Sequence, residues 1–240
     1  MSELRNHPAP GRTFVALALL VVLTAFAAPA RPGGVPLENR IFLTARAPFG
    51  DPRALTSLPP ACGDTTHRDT LYLCFEPAKD ESTMYGFSAE VNIYAQPGDT
   101  LGSFWAMERG GANNGGLTVT FGPDESFPQP QPWLTQGVGT ALYDRTPQSG
   151  RFRFLFAVPI SSPGPVTAGR RYTLGRIVLA PRRSGLTGCE RPVCLEWHNA
   201  TVQYRAGEKV VINSAGSRWL PRGGAESDCR GRIPAWRPKK

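Results

Sequence analysis

Cys189 and Cys194 enclose only Glu190-Arg191-Pro192-Val193, a spacing that lets one tight loop bring both backbones within bridging distance. The chemistry this suggests is a disulfide staple. A zinc site would need further ligands, yet the chain has no C-x-x-C and only His67 and His198 stand near enough in sequence pattern to assist. Cys62, Cys74 and Cys229 remain. A Cys62–Cys229 bridge would tie the two irregular flanks together and leave Cys74, in mid-strand, as a buried odd thiol; Cys62–Cys74 is the competing pair.

Aromatic rings are the second resource. A flat exposed ring offers a platform to the C–H face of a sugar, and Trp133, Tyr143, Trp219 and Trp236 are the candidates. Trp133 ends Phe127-Pro128-Gln129-Pro130-Gln131-Pro132, a stiff stretch that would display it at low entropic cost. The competing reading puts Trp105 and Trp197 in the core and uses Trp133, Trp219 and Trp236 to close the ends of a sandwich.

Catalytic groups are scarce. Glu90, Glu108, Asp124, Glu125 and Glu196 are the raw material for a pair of carboxylates acting on glycosidic bonds, but single carboxylates on wet strand faces are ordinarily solvated. A Ser-His-Asp site would have to use His198. No G-x-S-x-G, H-E-x-x-H or phosphate-cradling glycine loop is present. The loop Gly110–Gly116 has asparagines but no carboxylate inside it, so it reads as a turn and not as a calcium site. Neither catalytic residues, nor a metal, nor a cofactor is expected.

The elements that must position these residues are strands. In Met84–Ala95, Tyr85, Phe87, Ala89, Val91, Ile93 and Ala95 share one face, with Ser88, Glu90 and Asn92 opposite. Arg151–Val158 places Phe152, Phe154, Phe156 and Val158 on one face, with Arg151 and Arg153 on the other. The two stripes are expected to be opposing halves of one core. Further strands are predicted at Leu71–Glu76, Thr100–Glu108, Leu117–Phe121, Gly137–Tyr143, Tyr172–Ala180, Val193–Tyr204 and Lys209–Asn213, with a short one at Arg40–Thr44. The apolar phase slips near His198-Asn199, which predicts a bulge. Turn chemistry separates the runs, at Gly98-Asp99, Asn113-Asn114-Gly115-Gly116 and Ser149-Gly150 for example. About nine strands and no apolar stripe of helical period predict an all-β fold: an antiparallel two-sheet β-sandwich of jelly-roll type.

The flanks read differently. Arg5 and Arg12 lead into an apolar run, Thr13–Ala28, followed by small residues at Ala28-Pro29-Ala30. That is the pattern of a secretory signal peptide, and at about 16 residues the run is short for a bilayer span. Left uncleaved, it would anchor the sandwich to a membrane. The predicted organisation is therefore 1–30 signal peptide, 31–68 Pro/Gly-rich leader or linker, 69–214 sandwich domain and 215–240 basic Arg/Pro-rich tail. The formal charge is +8, falling to +7 without residues 1–30, and 23 of the 27 basic residues are Arg. Such a balance favours acidic partners, but export and the lack of an aromatic-basic RNA motif argue against nucleic acid.

Three stretches carry a family resemblance: Tyr85-Gly86-Phe87-Ser88-Ala89-Glu90-Val91-Asn92-Ile93-Tyr94, Arg151-Phe152-Arg153-Phe154-Leu155-Phe156-Ala157, and Ala168–Leu179. In this order and spacing they resemble the strands of a cohesin-type domain, a nine-stranded jelly-roll sandwich shared broadly with carbohydrate-binding modules. The resemblance implies an immunoglobulin/cohesin-like sandwich over residues 70–213. It also implies a non-enzymatic binding module, secreted or surface-associated, recognising a protein partner or a polysaccharide. Two alternatives stand beside it: a secreted glycan-active hydrolase using Glu90 or Glu196, and a structural envelope protein without a discrete ligand.

Overall fold

Alternation of apolar and polar residues drives the architecture, because each strand has one face to bury and one to leave in water. The computed structural model describes residues 38–59, 65–121, 138–157, 164–204, 208–212, 219–223 and 229. All of these belong to the unit Val35–Lys240. The expected signal peptide lies outside the described residues. No helix among the described residues is long and apolar enough to cross a membrane.

Twelve strands are described: β1 (Arg40–Ala45), β2 (Asp69–Glu76), β3 (Glu81–Met84), β4 (Gly86–Ala95), β5 (Leu117–Phe121), β6 (Val138–Arg145), β7 (Ser149–Ala157), β8 (Gly164–Val166), β9 (Tyr172–Leu179), β10 (Val193–Gln203), β11 (Lys209–Ile212) and β12 (Trp219–Arg222). They form a four-stranded sheet in the order β1-β2-β9-β5 and a six-stranded sheet in the order β11-β10-β4-β7-β6, with β12 also paired to β10. A small third sheet joins β3 and β8. Every pairing between these strands is antiparallel. The all-β, antiparallel two-sheet sandwich expected from the sequence is what forms.

One core joins the inner faces. Ile41, Leu43, Leu71, Leu73, Phe75, Leu174, Ile177 and Leu179 of the smaller sheet meet Phe87, Val91, Ile93, Phe152, Phe156, Leu195, Trp197 and Val202 of the larger. Phe121 reaches across from β5 to stack on Phe156, with ring centroids 5.4 Å apart.

Several expectations need correction. The stripes of β4 and β7 are not opposing halves of the core. They are neighbours in one sheet, with Phe87 beside Phe156 and Val91 beside Phe152. A period of two fixes which face a residue takes but not which sheet supplies its partner. Thr100–Glu108 is not a strand; Ser103–Trp105 form a single 3-10 turn that buries Phe104 and Trp105. The short strand expected at Arg40–Thr44 forms as β1, so part of the stretch 31–68 belongs to the sandwich. β1 pairs along its whole length with β2, and Ile41, Leu43 and Ala45 are wholly buried. Nor does the domain stop at 214, because β12 pairs with the first half of β10. The bulge expected near His198-Asn199 is present, between Trp197 and Asn199.

A second, smaller apolar cluster lies on the outer side of the four-stranded sheet. Phe42, Tyr72 and Cys74 point away from the main core and are covered by Phe49. Phe49 stacks on Phe42 at 4.0 Å. Arg171 lies over the Phe49 ring at 4.7 Å and also pairs with the buried Glu76 carboxylate, which Arg40 grips from the other side. The loop after β1 is thereby fastened across the sheet.

Candidate docking face on the six-stranded sheet

Strand parity puts Ser88, Glu90, Asn92 and Tyr94 of β4 on the outer face of the six-stranded sheet. Arg151, Arg153, Leu155 and Ala157 of β7 stand beside them. Val138, Thr140, Leu142 and Asp144 of β6 extend the face on one side. Glu196, Asn199, Thr201 and Gln203 of β10, then Lys209 and Val211 of β11, extend it on the other. Among the described residues the large exposed hydrophobics are Val138 (77%), Leu142 (59%), Leu155 (56%) and Val211 (60%), and all four lie on this face. Scattered exposed apolar residues need no explanation, but a set confined to one face of one sheet does.

The polar residues of the face divide into two halves. Toward the β6–β7 turn they are committed to one another. Asp144 accepts from Arg151 at 3.2 Å and from Arg153 at 2.8 Å, and Arg151 also lies 4.0 Å from Glu90. The Tyr94 hydroxyl receives a hydrogen bond from the Asn92 amide at 3.0 Å and donates to Glu196 Oε2 at 3.1 Å. His198 Nδ1 stands 3.4 Å from the same carboxylate oxygen. Burial, and then the Glu196 charge, hold the Tyr94 phenol well above its ordinary pKa, so it stays a donor. Glu90, Asn92, Tyr94, Asp144 and Arg151 border a small polar depression of about 110 Å³.

Toward the other end of the strands a larger groove of about 340 Å³ opens, lined by Tyr85, Gly86, Ser88, Leu155, Ala157, Thr201, Gln203 and Lys209 together with backbone of Phe87 and Phe156. Its floor is low because β4 carries Gly86 and then Ser88 there. A Cβ on Gly86 would fall 2.3 Å from the Phe156 carbonyl oxygen, so this close approach of β4 and β7 requires glycine.

The residues singled out in the sequence are placed as follows. Tyr143 is not a platform for sugar. It faces inward, stacks on Phe152 at 4.8 Å and donates its hydroxyl to the Trp105 carbonyl at 2.7 Å. Trp133 and Trp236 lie outside the described residues. Trp219 opens β12, opposite Glu196 in the register. Trp105 and Trp197 are core residues, as the competing reading had it. Glu90 and Glu196 stand on the docking face, within the committed cluster just described.

The Cys189–Cys194 staple does not form. Cys194 is bonded to Cys229, with Cα atoms 5.5 Å apart, which also removes the Cys62–Cys229 pairing. The reason is parity. Val193 and Leu195 face the core, so Cys194 between them faces outward, while Cys189 is buried within the core cluster. Cys189 is itself disulfide-bonded. Cys74 is the free, buried thiol, as expected. The Gly110–Gly116 loop is a structural anchor: the Asn113 amide donates to the Phe104 and Ala180 carbonyls while its oxygen accepts from Arg182 N–H. No group of three or more metal-ligating side chains occurs among the described residues.

Reading by parity could have found the docking face. Leu142 and Leu155 are apolar at outward positions, Leu142 between Thr140 and Asp144 and Leu155 following Arg151 and Arg153.

No protein-family model and no curated protein matches the sequence. Among solved structures the chain is similar to a cohesin module of a family 33 glycoside hydrolase from Clostridium perfringens, at 10% identity and a TM-score of 0.38, covering 78% of this chain and 97% of that one. It is similar also to the second type II cohesin module of the ScaA scaffoldin of Acetivibrio cellulolyticus, at 9% identity and a TM-score of 0.37, covering 75% and 98%. A CBM3 of Hungateiclostridium clariflavum is similar at 9% identity and a TM-score of 0.30, covering 74% and 100%.

Proposed function

We propose that this chain is a secreted or surface-associated, non-enzymatic binding module that docks a partner protein on the outer face of its six-stranded sheet. The observation that carries the reading is the gathering of Val138, Leu142, Leu155 and Val211 on that single face. Apolar residues surrounded by polar ones are the composition of a protein–protein interface. The face belongs to a paired, packed sheet, so a partner would meet a preformed surface and little would have to be ordered on binding. The Cys194–Cys229 bond supports export, because such bonds persist in oxidising compartments. The carboxylates best placed for hydrolysis, Glu90 and Glu196, are engaged with Arg151, Tyr94 and His198, which favours a structural use for them.

The test compares the full chain with a Leu142→Asp, Leu155→Asp double variant, both immobilised and exposed to surface and secreted proteins of the producing cell, with a glycan array run in parallel. The reading expects a protein retained by the parent and released by the variant, with the array empty. Retention of the same protein by both forms, or sugar binding that ignores the substitutions, would overturn it.

A further inference from the structure

We infer that the groove floored by Gly86 and Ser88 is the anchor pocket of the docking face, taking one large apolar side chain of a partner protein that carries a carboxylate beside it. This rests on the docking reading and specifies what the partner presents.

The argument begins with the split in the polar residues of the face. In one half, Glu90, Asn92, Tyr94, Asp144, Arg151, Arg153, Glu196 and His198 satisfy one another. Around the groove the opposite holds. The side chains of Ser88, Thr201, Gln203 and Lys209 line it, and among the described residues none of them makes a hydrogen bond or ion pair. Uncommitted donors around a concave apolar floor are what a ligand pocket needs, since their partners then arrive with the ligand.

The walls fix the chemistry. On the β7 side stand Leu155 and Ala157, and Val138 lies beside Ala157 in the register, so this wall is apolar. On the β10–β11 side stand Thr201, Gln203 and Lys209, with Lys209 directly opposite Gln203. An occupant must therefore be apolar on one side and anionic on the other. The nearest acidic residue in sequence, Glu208, lies 3.8 Å from Lys79. At about 340 Å³ the groove is at the small end of ligand cavities, matched to a single side chain and its neighbour. Buried anchors of this kind, ringed by weaker contacts such as Leu142 and Val211 would make, dominate the energetics of protein interfaces.

The experiment uses the ¹⁵N-labelled chain and capped dipeptides, so it needs no knowledge of the natural partner. Ac-Phe-Asp-NH₂ should shift the amides of Gly86, Ser88, Ala157 and Thr201. Ac-Phe-Lys-NH₂ should bind roughly twofold to fivefold more weakly, the range for one exposed ion pair. Ac-Gly-Asp-NH₂ should leave these amides unmoved. Ser88→Trp, which fills the floor, should abolish the shifts, and Lys209→Glu, an exposed change that keeps the fold, should reverse the Asp-over-Lys preference. Shifts confined to the Glu90–Arg151 half, equal binding of the glycine dipeptide, or tighter binding of free octanoate would each overturn the inference. A silent groove beside a partner still lost by the Leu142→Asp, Leu155→Asp variant would sink the anchor alone. A responsive groove in a chain that retains no partner would sink the docking reading alone.

Discussion

Asp69 and Arg222, 153 residues apart in sequence, form a buried ion pair with Nε 2.8 Å from Oδ2. The pair joins the first residue of β2 to the last of β12. Arg222 also donates to the Cys189 carbonyl and lies over the rings of Phe104 and Trp105, at 5.1 and 5.7 Å. His67 Nε2 meets the other carboxylate oxygen of Asp69 at 2.8 Å. Leu58 completes the knot, donating to the Pro221 carbonyl and accepting from Gly223 N–H. One guanidinium thus ties the start of β2, the 3-10 turn, the Cys189 loop and β12 together.

Removing one partner should cost far more than removing both. Asp69→Ala strands Arg222 in the core and is expected to lower stability by about 3–5 kcal/mol, the range for an uncompensated buried charge. Asp69→Leu combined with Arg222→Met should cost less than the two single changes added. Chemical denaturation read as a double-mutant cycle measures the coupling. Additive single losses, each below about 1 kcal/mol, would show that the pair is not a fastening.

Disulfide mapping gives an independent check. The non-reduced digest should yield a Cys194–Cys229 cross-linked peptide, a bridged Cys189 and an alkylatable Cys74 only after unfolding. Cys194→Ala should cost about 2–4 kcal/mol, as expected for a cross-link closing a loop of this size. A Cys189–Cys194 peptide would contradict the chain path at the start of β10.

Much of the sandwich was legible because parity is local. The stripes of β4 and β7 and the bulge at His198 follow from alternation within a few residues, and both strands formed close to where the pattern put them. What parity cannot say is which strand lies beside which, so β4 and β7 were assigned to opposite sheets although they are neighbours. Short strands with little alternation, such as β12, are made by pairing with β10 and have no pattern of their own. The Asp69–Arg222 pair was invisible for the same reason: neither residue sits in a motif, and only the folded chain brings them together. The docking face was half legible, since Leu155 broke a polar row beside Arg151 and Arg153.

Asn113 should prove structural. Its amide and oxygen make three bonds to backbone while wholly buried, so Asn113→Ala leaves the Phe104 and Ala180 carbonyls and the Arg182 N–H without partners. Each stranded group costs about 1–3 kcal/mol, so a loss of several kcal/mol in a thermal melt is expected. Calcium should leave the melting temperature of the parent unchanged. Stabilisation by millimolar calcium that vanishes in Asn113→Ala would mean the loop binds the ion after all.

Cys74 makes the sandwich sensitive to alkali in a predictable window. Burial beneath Phe49 raises its thiol pKa from 9.0 to about 11, against smaller opposing effects from the Phe49 N–H, the Thr173 hydroxyl and Arg171. The folded state therefore holds this proton to higher pH than the unfolded state does. The thiol's contribution is fully present below pH 9 and is lost as pH rises through about 11, amounting to about 2–3 kcal/mol across the window. Tyr94, Tyr143 and Tyr204, also raised by burial, extend the decline from pH 10 upward. Cys74→Ala should flatten the stability profile between pH 9 and 10 and leave the later decline in place. Phe49→Ala opens the cover and removes a ring stacked at 4.0 Å on Phe42, with Arg171 on its outer side. It should bring the thiol pKa back toward 9 and raise the rate of iodoacetamide labelling at pH 8 without unfolding the main core, to which Phe49 does not belong. Equal labelling rates in parent and Phe49→Ala would mean that the sheet alone, and not the fastened loop, shields the thiol.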